Sequence, residues 1–477
     1  MKRSSMGRFV QGWLACASIA TLFTSSLSLA AEAPVYEIER CCQICPQALQ
    51  DSSYTGDLGD FTQLVQGHED WLFRSKIDLM TNIGTTPEGF KLLQDLRDAL
   101  KARGVELVMV YLPPRGLLVT EMLNPQARSR FNAELSRSNY RATIERLRSL
   151  GIRVPDLSAL LDLPAEVRSK FFFKRDNHWT PQGAELTAQL LAAEISKSGV
   201  FKGIARKEFA TRTEGNLYKV GSLNQAFGKI CGSGYANEYF TRAVTEPKEE
   251  SNELFGDTER PDVVLVGTSF SSAQYNFDGF LKQYASVDVD NRSVTGGGFH
   301  SAMLQYLGTQ DFRDKPPKVL IWEVNSYYDL AMATFYRQAM PLLDNGCRDV
   351  TADIDQKLTL RPGKNEVLVN TGAKPIRSED SVVEIQFSKP EVNELRSTVW
   401  YMSGSRDNLL ISRSREVESN GRFVFRLRED AEWAGQTLLS LEIDMPADMP
   451  PGLQVEAKIC RRADKPASVM QAQAKAD

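Results

Sequence analysis

Histidine is scarce in this chain, long apolar runs are confined to its first thirty residues, and neither sign of charge dominates. A net charge of -4 gives no global basic field, so binding to nucleic acid by overall electrostatics is excluded and any anion site must be argued from particular residues. Beyond the N-terminal run no apolar stretch approaches the roughly 20 residues of a membrane span, so none is expected in the mature chain. Internal repeats are not evident. With 42% hydrophobic and 25% charged side chains, the composition excludes a disordered chain and permits two or three domains.

The N-terminal run has a purpose of its own. Lys2, Arg3 and Arg8 precede the apolar stretch Trp13 to Leu29, which reaches small residues at Ser28 and Ala30. This pattern predicts an export signal over residues 1–30, cleaved near Ala30 or Ala31, and places the mature protein outside the cytoplasm. Cys16 follows Trp13-Leu14-Ala15, a poor lipobox, which argues against a lipid anchor. Setting Cys16 aside from the 7 cysteines leaves Cys41, Cys42, Cys45, Cys231, Cys347 and Cys460. An even number in an exported chain reads as disulfides. A metal site on Cys42-x-x-Cys45 needs a second pair at similar spacing, and the sequence has none.

From about Phe90 to Tyr328, helix-like stripes alternate with strand-like runs. Leu92, Leu93, Leu96 and Leu100 form a helical stripe ending at Gly104, and Val105 to Leu112 is a nearly continuous apolar run. A helix is predicted over Ala127 to Leu150, then a short strand near Ile152 to Val154, then a helix opened by Pro181 with Thr180 as its N-cap. Further strands are expected at Val263 to Val266, Val287 to Val294 and Val319 to Val324. Continuous apolar strands between helices imply an α/β fold, a parallel sheet covered on both faces, and such sheets bind ligands beyond their carboxyl ends.

After Cys347 the helical stripes vanish and short alternating strands take over, at Val382 to Phe387, Ser397 to Met402, Leu409 to Ser412, Arg422 to Leu427, Leu438 to Ile443 and Leu453 to Ile459. This reads as a small all-β sandwich. Cys347 and Cys460 stand at its two ends, so a bond between them closes nearly the whole module. Cys231 is left to pair with one of Cys41, Cys42 and Cys45, with Cys45 the expected partner. The resulting division is a catalytic-type domain over 31–346, a β-sandwich over 347–465 and a polar tail over 466–477, with the charged stretch Thr245 to Asn252 as a surface loop of the first domain.

The chemistry starts from PDVVLVGTSFS, residues 261–271, in which a buried strand stops at Gly267-Thr268-Ser269. Ser269 would stand at the carboxyl edge of the sheet, where the next N–H groups can meet a developing oxyanion, although a serine there is commonly just a helix cap. The chain has 3 histidines, so the search for a general base is short. His68 lies in QGHEDWLF and His300 follows Gly296-Gly297-Gly298-Phe299. His178, in RDNHWTPQG, has a carboxylate two residues away, Asp176, which in an extended loop points the same way and can hold one ring nitrogen. A plain loop histidine is the competing reading; a metal reading lacks a third ligand nearby, and no metal or other cofactor is expected. Gly297 and Gly298 could lend N–H groups to an oxyanion hole or simply form a turn. Asn325, Tyr327 and Tyr328 follow the last strand of the domain at the same edge, where Asn325 and Tyr328 could orient a substrate. In the β module Arg396, Thr398 and Trp400 alternate along one strand and share a face, with Arg406 past the next turn. Arginine suits a carboxylate and tryptophan a sugar ring, so this face fits a uronic acid polymer; a core Trp400 with solvated arginines is the alternative.

The strand ending in GTSF, the Asp-x-His of RDNHW running into a helix, and the early EDWLF segment resemble the SGNH hydrolase-like domain of alginate O-acetyltransferases. The resemblance implies a serine nucleophile at Ser269 with Asp176 and His178, and a carbohydrate-binding module in which Arg396, Thr398, Trp400 and Arg406 contact alginate. It also implies acetyl transfer to mannuronate hydroxyls in the periplasm alongside other alginate acetylation and export proteins. Ordinary SGNH esterases commonly carry Asp-x-x-His and a GDS block, so the departure weakens a generic esterase assignment. Two alternatives stay open: an esterase with the same triad that uses water, and a noncatalytic polymer-binding scaffold.

Overall fold

The computed structural model describes residues 44–248, 260–372 and 374–462. The expected export signal, Cys16, Cys41, Cys42, the polar tail and the part of the expected charged loop after Lys248 lie outside the described residues, and Thr245, Glu246 and Pro247, expected in that loop, end a strand instead.

Four parallel strands form the centre of the first domain, in the order Glu106–Leu112, Val319–Asn325, Val263–Val266, Asp290–Asn291. The first three are buried almost throughout, as strands covered on both faces must be. Helices Pro87–Ala102, Ala133–Ser149 and Pro181–Ile195 accompany them, and each opens on a side-chain cap: Thr86, Asn132 and Thr180 accept N–H bonds from Gly89, Leu135 and Gly183. The α/β reading therefore holds, with three local corrections. The helix expected over Ala127 to Leu150 is two, Pro125–Arg130 and Ala133–Ser149, because Asn132 caps the second. The strand near Ile152 to Val154 is a single bridge from Arg153 to Val108. Val287 to Val294 supplies only Asp290–Asn291.

The sequence pattern also hid a long antiparallel ribbon, Phe209–Lys219 with Glu238–Pro247, and the helix Ser222–Cys231 between its strands. The ribbon is largely exposed, so it carries no apolar alternation to read. Cys231 at the end of that helix is bonded to Cys45, as expected.

The C-terminal part is a sandwich of two four-stranded antiparallel sheets. One runs Gly363–Val369, Leu438–Met445, Glu394–Tyr401, Arg406–Ser412; the other runs Arg422–Arg426, Ser381–Phe387, Gln454–Arg461, Ala352–Thr359. The strands Ala352–Thr359 and Gly363–Val369 went unread in the sequence. Val383, Ile385, Phe423 and Phe425 fill the sandwich core, whereas Val382, Val424 and the Cys347–Cys460 disulfide join the core of the first domain. Arg422–Arg426 is consequently buried at every position. Its outward face packs against the helix Ala333–Leu343, and the two modules share a seam.

Candidate active site

The strand Val263–Val266 ends in Gly267 and Thr268, and Ser269 opens a single 3-10 turn, Ser269–Ser271. Beneath this turn lies Glu323, fully buried on the neighbouring strand. Its carboxylate accepts the Thr268 N–H at 2.7 Å, the Thr268 hydroxyl at 2.9 Å and the Ser271 hydroxyl at 3.2 Å. Burial pushes the Glu323 carboxyl up to about 7, against the partial offset of those bonds. Gly267 is required here, because a Cβ would come within 2.7 Å of Glu323 Oε2 and 2.9 Å of its Cβ. Glu323 was not singled out from the sequence, although a lone carboxylate inside an apolar strand is a readable signal.

His178 arrives from a loop pinned on several sides. Phe171 and Phe173 bond back to Thr180 and His178 across its mouth, and the Trp179 indole N–H donates to Phe270 O at 2.7 Å, tying this loop to the serine turn. Glu238, at the start of a ribbon strand, accepts the N–H groups of Lys174 and Arg175 at 2.8 Å each. The EDWLF segment braces the same loop: Leu72 N–H donates to Lys174 O at 2.9 Å, and the Glu69 carboxylate pairs with Lys174 at 2.7 Å.

The three residues expected to act together do come together. His178 Nε2 lies 2.7 Å from Ser269 Oγ, and His178 Nδ1 lies 2.5 Å from Asp176 Oδ1. The Asp176 side chain is 2% exposed and that of His178 13%, so the chain of groups runs from buried carboxylate to half-buried hydroxyl. Burial alone would raise the Asp176 carboxyl. The hydrogen bond and charge of His178, the Lys219 ammonium 3.7 Å away and the Ser222 N–H at 2.7 Å outweigh it and hold Asp176 well below the usual carboxylate range. Ser222 N–H is the first of the helix Ser222–Cys231, so the positive end of that helix faces the carboxylate. The Cys45–Cys231 bond anchors the other end of the same helix. Tyr275 stacks on the imidazole at 5.4 Å and accepts a 2.6 Å hydrogen bond from Lys219. Lys219, Ser222 and Tyr275 were missed in the sequence, since each reaches the site through the unread ribbon or a turn far along the chain.

The remaining candidates fare unequally. Gly297 donates its N–H to Val294 O at 3.4 Å, so the glycine run is a turn at that position, and Gly297 is corrected from oxyanion donor to turn residue. Gly298 adopts φ +62°, which explains a glycine there. Asn325 is buried with its side-chain amide 3.4 Å from Glu323, and Tyr328 packs at 5.3 Å against Phe299. In the sandwich, Arg396, Thr398 and Trp400 do share the outward face of Glu394–Tyr401 while Leu395, Val399 and Tyr401 point into the core. Arg406 stands directly opposite Trp400 in the next strand, its guanidinium 5.9 Å from the ring centre. Trp400 is half-buried and outside the core.

Residues 64–326 match the family model described as an SGNH hydrolase-like domain, acetyltransferase AlgX, and residues 346–474 match a C-terminal carbohydrate-binding module. The alginate biosynthesis protein AlgX of Pseudomonas aeruginosa is 46% identical over 94% of this chain and 96% of its own length. A protein named probable alginate O-acetylase AlgJ, from the same organism, is 31% identical over 57% of this chain and 71% of its own. The solved structure of Pseudomonas aeruginosa AlgX superposes with a TM-score of 0.82 over 88% of this chain and all of that one. On sequence, domain order and fold together, the chain belongs to the AlgX family, an SGNH hydrolase-like domain followed by a carbohydrate-binding module.

Proposed function

We propose that the chain is a periplasmic O-acetyltransferase that carries acetyl on Ser269 and delivers it to mannuronate hydroxyls of alginate. The observation that carries this reading is the continuous line of hydrogen-bond distances Ser269–His178–Asp176 at the carboxyl edge of the parallel sheet. His178 Nε2 takes the Ser269 proton as Oγ attacks the acetyl carbonyl, and His178 then returns that proton to the donor's leaving group. A mannuronate hydroxyl attacks the acetyl-serine next, giving its proton to His178. The C–O bond to Ser269 breaks, and Oγ recovers the proton. Asp176, held ionised, fixes Nδ1 as the protonated nitrogen and stabilises the imidazolium. Ser269 N–H, at the opening of its turn, together with Asn325 and Tyr328 are the groups assigned to face the oxyanion and the sugar. The Arg396, Thr398, Trp400 and Arg406 face would hold the polymer, with Trp400 stacking on a ring and the guanidiniums meeting uronate carboxylates. The family membership and the relatives named for alginate support this substrate.

Incubating the purified chain with 4-nitrophenyl acetate and mannuronate oligomers tests the reading. Acetylated oligomer is expected. Free acetate alone would make the chain an esterase, and no turnover would make it a polymer-binding scaffold.

A further inference from the structure

A cavity of about 190 Å³ opens at the seam between the two modules, lined by none of the residues assigned above. The first domain lines it with Arg292, His300, Gln305 and Gln338, and the sandwich with Ser412, Arg413 and Arg422. Its charges are unevenly paired. Arg292 is paired with Asp290 at 2.7 Å and Asp311 at 3.1 Å. Arg348 and Arg422 share one carboxylate, Glu384, at 3.4 and 2.8 Å. Arg413 has no carboxylate within ion-pair distance among the described residues; it lies over the Phe423 ring at 4.4 Å and donates to Arg422 O at 2.8 Å. Burial and the neighbouring Arg422 lower its guanidinium to about 10, which leaves it charged at neutral pH. One carboxylate lines the cavity itself, Glu418, and it is exposed. Arg422 Nη1 and His300 Nδ1 are buried without a hydrogen-bond partner among the described residues.

Two largely buried guanidiniums, Arg413 and Arg422, against one buried carboxylate, Glu384, with an Arg422 donor left over, are costly unless something anionic completes them. We infer that this seam cavity is a second carbohydrate subsite, which takes the carboxylate of one uronate unit between Arg413 and Arg422 while its ring occupies the remaining space. The cavity has room for about six waters by liquid volume, or one pyranose ring. Arginine is the residue that grips a carboxylate through two parallel bonds, and glutamines and serines around it suit sugar hydroxyls. The inference rests on the uronate-polymer reading above. It gives the polymer a contact with both modules at once, distinct from the outward face of the sandwich.

The test is titration calorimetry with a mannuronate trisaccharide on the Trp400→Ala chain, in which the sandwich face is disabled. Gln305 accepts the Glu418 N–H through its side-chain oxygen at 3.1 Å, and Gln305→Glu keeps that acceptor while placing a negative charge among the arginines. If the arginines only hold the modules together, this change raises the melting temperature and leaves binding alone. The subsite predicts instead that the trisaccharide binds the Trp400→Ala chain and that adding Gln305→Glu weakens it about tenfold or more, the scale of one charge-assisted contact. The melting temperature should stay equal or rise, and cleavage of 4-nitrophenyl acetate should be unchanged. Arg413→Gln should weaken binding in the same way, and a neutral mannose trisaccharide should not bind. Binding within twofold of the background in both variants, or no binding to the Trp400→Ala chain, overturns the subsite. A parent chain that neither transfers acetyl nor binds the oligomer removes the proposed function; one that does both while Gln305→Glu binds like its background removes the subsite alone.

Discussion

Glu323 makes stability answer to pH in a direction opposite to most carboxylates, and Glu323→Gln isolates the effect. The carboxyl is fully buried with no cation at ion-pair distance among the described residues, and burial lifts it to about 7 from an ordinary 4.5. The fold therefore favours the neutral acid. Its contribution is fully present below pH 4.5 and is lost as pH rises through about 7, because the unfolded chain releases the proton first. The span from 4.5 to about 7, at about 1.4 kcal/mol per pH unit, amounts to roughly 3 kcal/mol. Glutamine keeps an oxygen to accept the Thr268 N–H and has no proton to lose. Urea unfolding at pH 5, 6, 7 and 8 should therefore show the parent losing about 2–3 kcal/mol relative to Glu323→Gln across that range. Parallel stability curves for the two chains would refute the buried-acid argument.

Asp176→Asn should cut cleavage of a small acetyl ester by about 10⁴, the cost of a wrong imidazole tautomer in a comparable triad, while circular dichroism stays that of the parent. Trp400→Ala should weaken alginate binding in a salt-sensitive assay and leave ester cleavage nearly unchanged, since the two sets of residues lie in different modules. Cys347→Ser should lower stability by about 2–5 kcal/mol, read as a shift in urea midpoint, because it opens a cross-link spanning 113 residues and frees a buried sulfur at the seam.

The parallel strands were legible because both-face burial writes an unbroken apolar run, and the triad because three histidines left few bases to consider. Thr180 and Pro181 fixed a helix start to the residue, through a cap whose chemistry is local. The ribbon was illegible for the converse reason. Its strands bury little, so solvent places no pattern on them, yet they deliver Lys219 and frame Ser222, whose contacts with Asp176 span more than forty residues. Glycine was ambiguous throughout: the Gly296–Gly298 run can be a turn or a ligand cradle, and the Gly297 bond to Val294 decides that position only in three dimensions. The seam was invisible for a further reason. His300 is more than a hundred residues from Arg413 and Arg422 in sequence and joins them only when the sandwich docks.

The central claim is that Ser269 carries the acetyl group, and mass spectrometry of the chain treated with 4-nitrophenyl acetate, without oligomer, tests it most directly. One acetyl group should appear on the peptide holding Ser269, disappear when mannuronate oligomer is added, and be missing from Ser269→Ala. Acetyl on another residue, or Ser269→Ala transferring acetyl to oligomer at the parent's rate, would contradict the account.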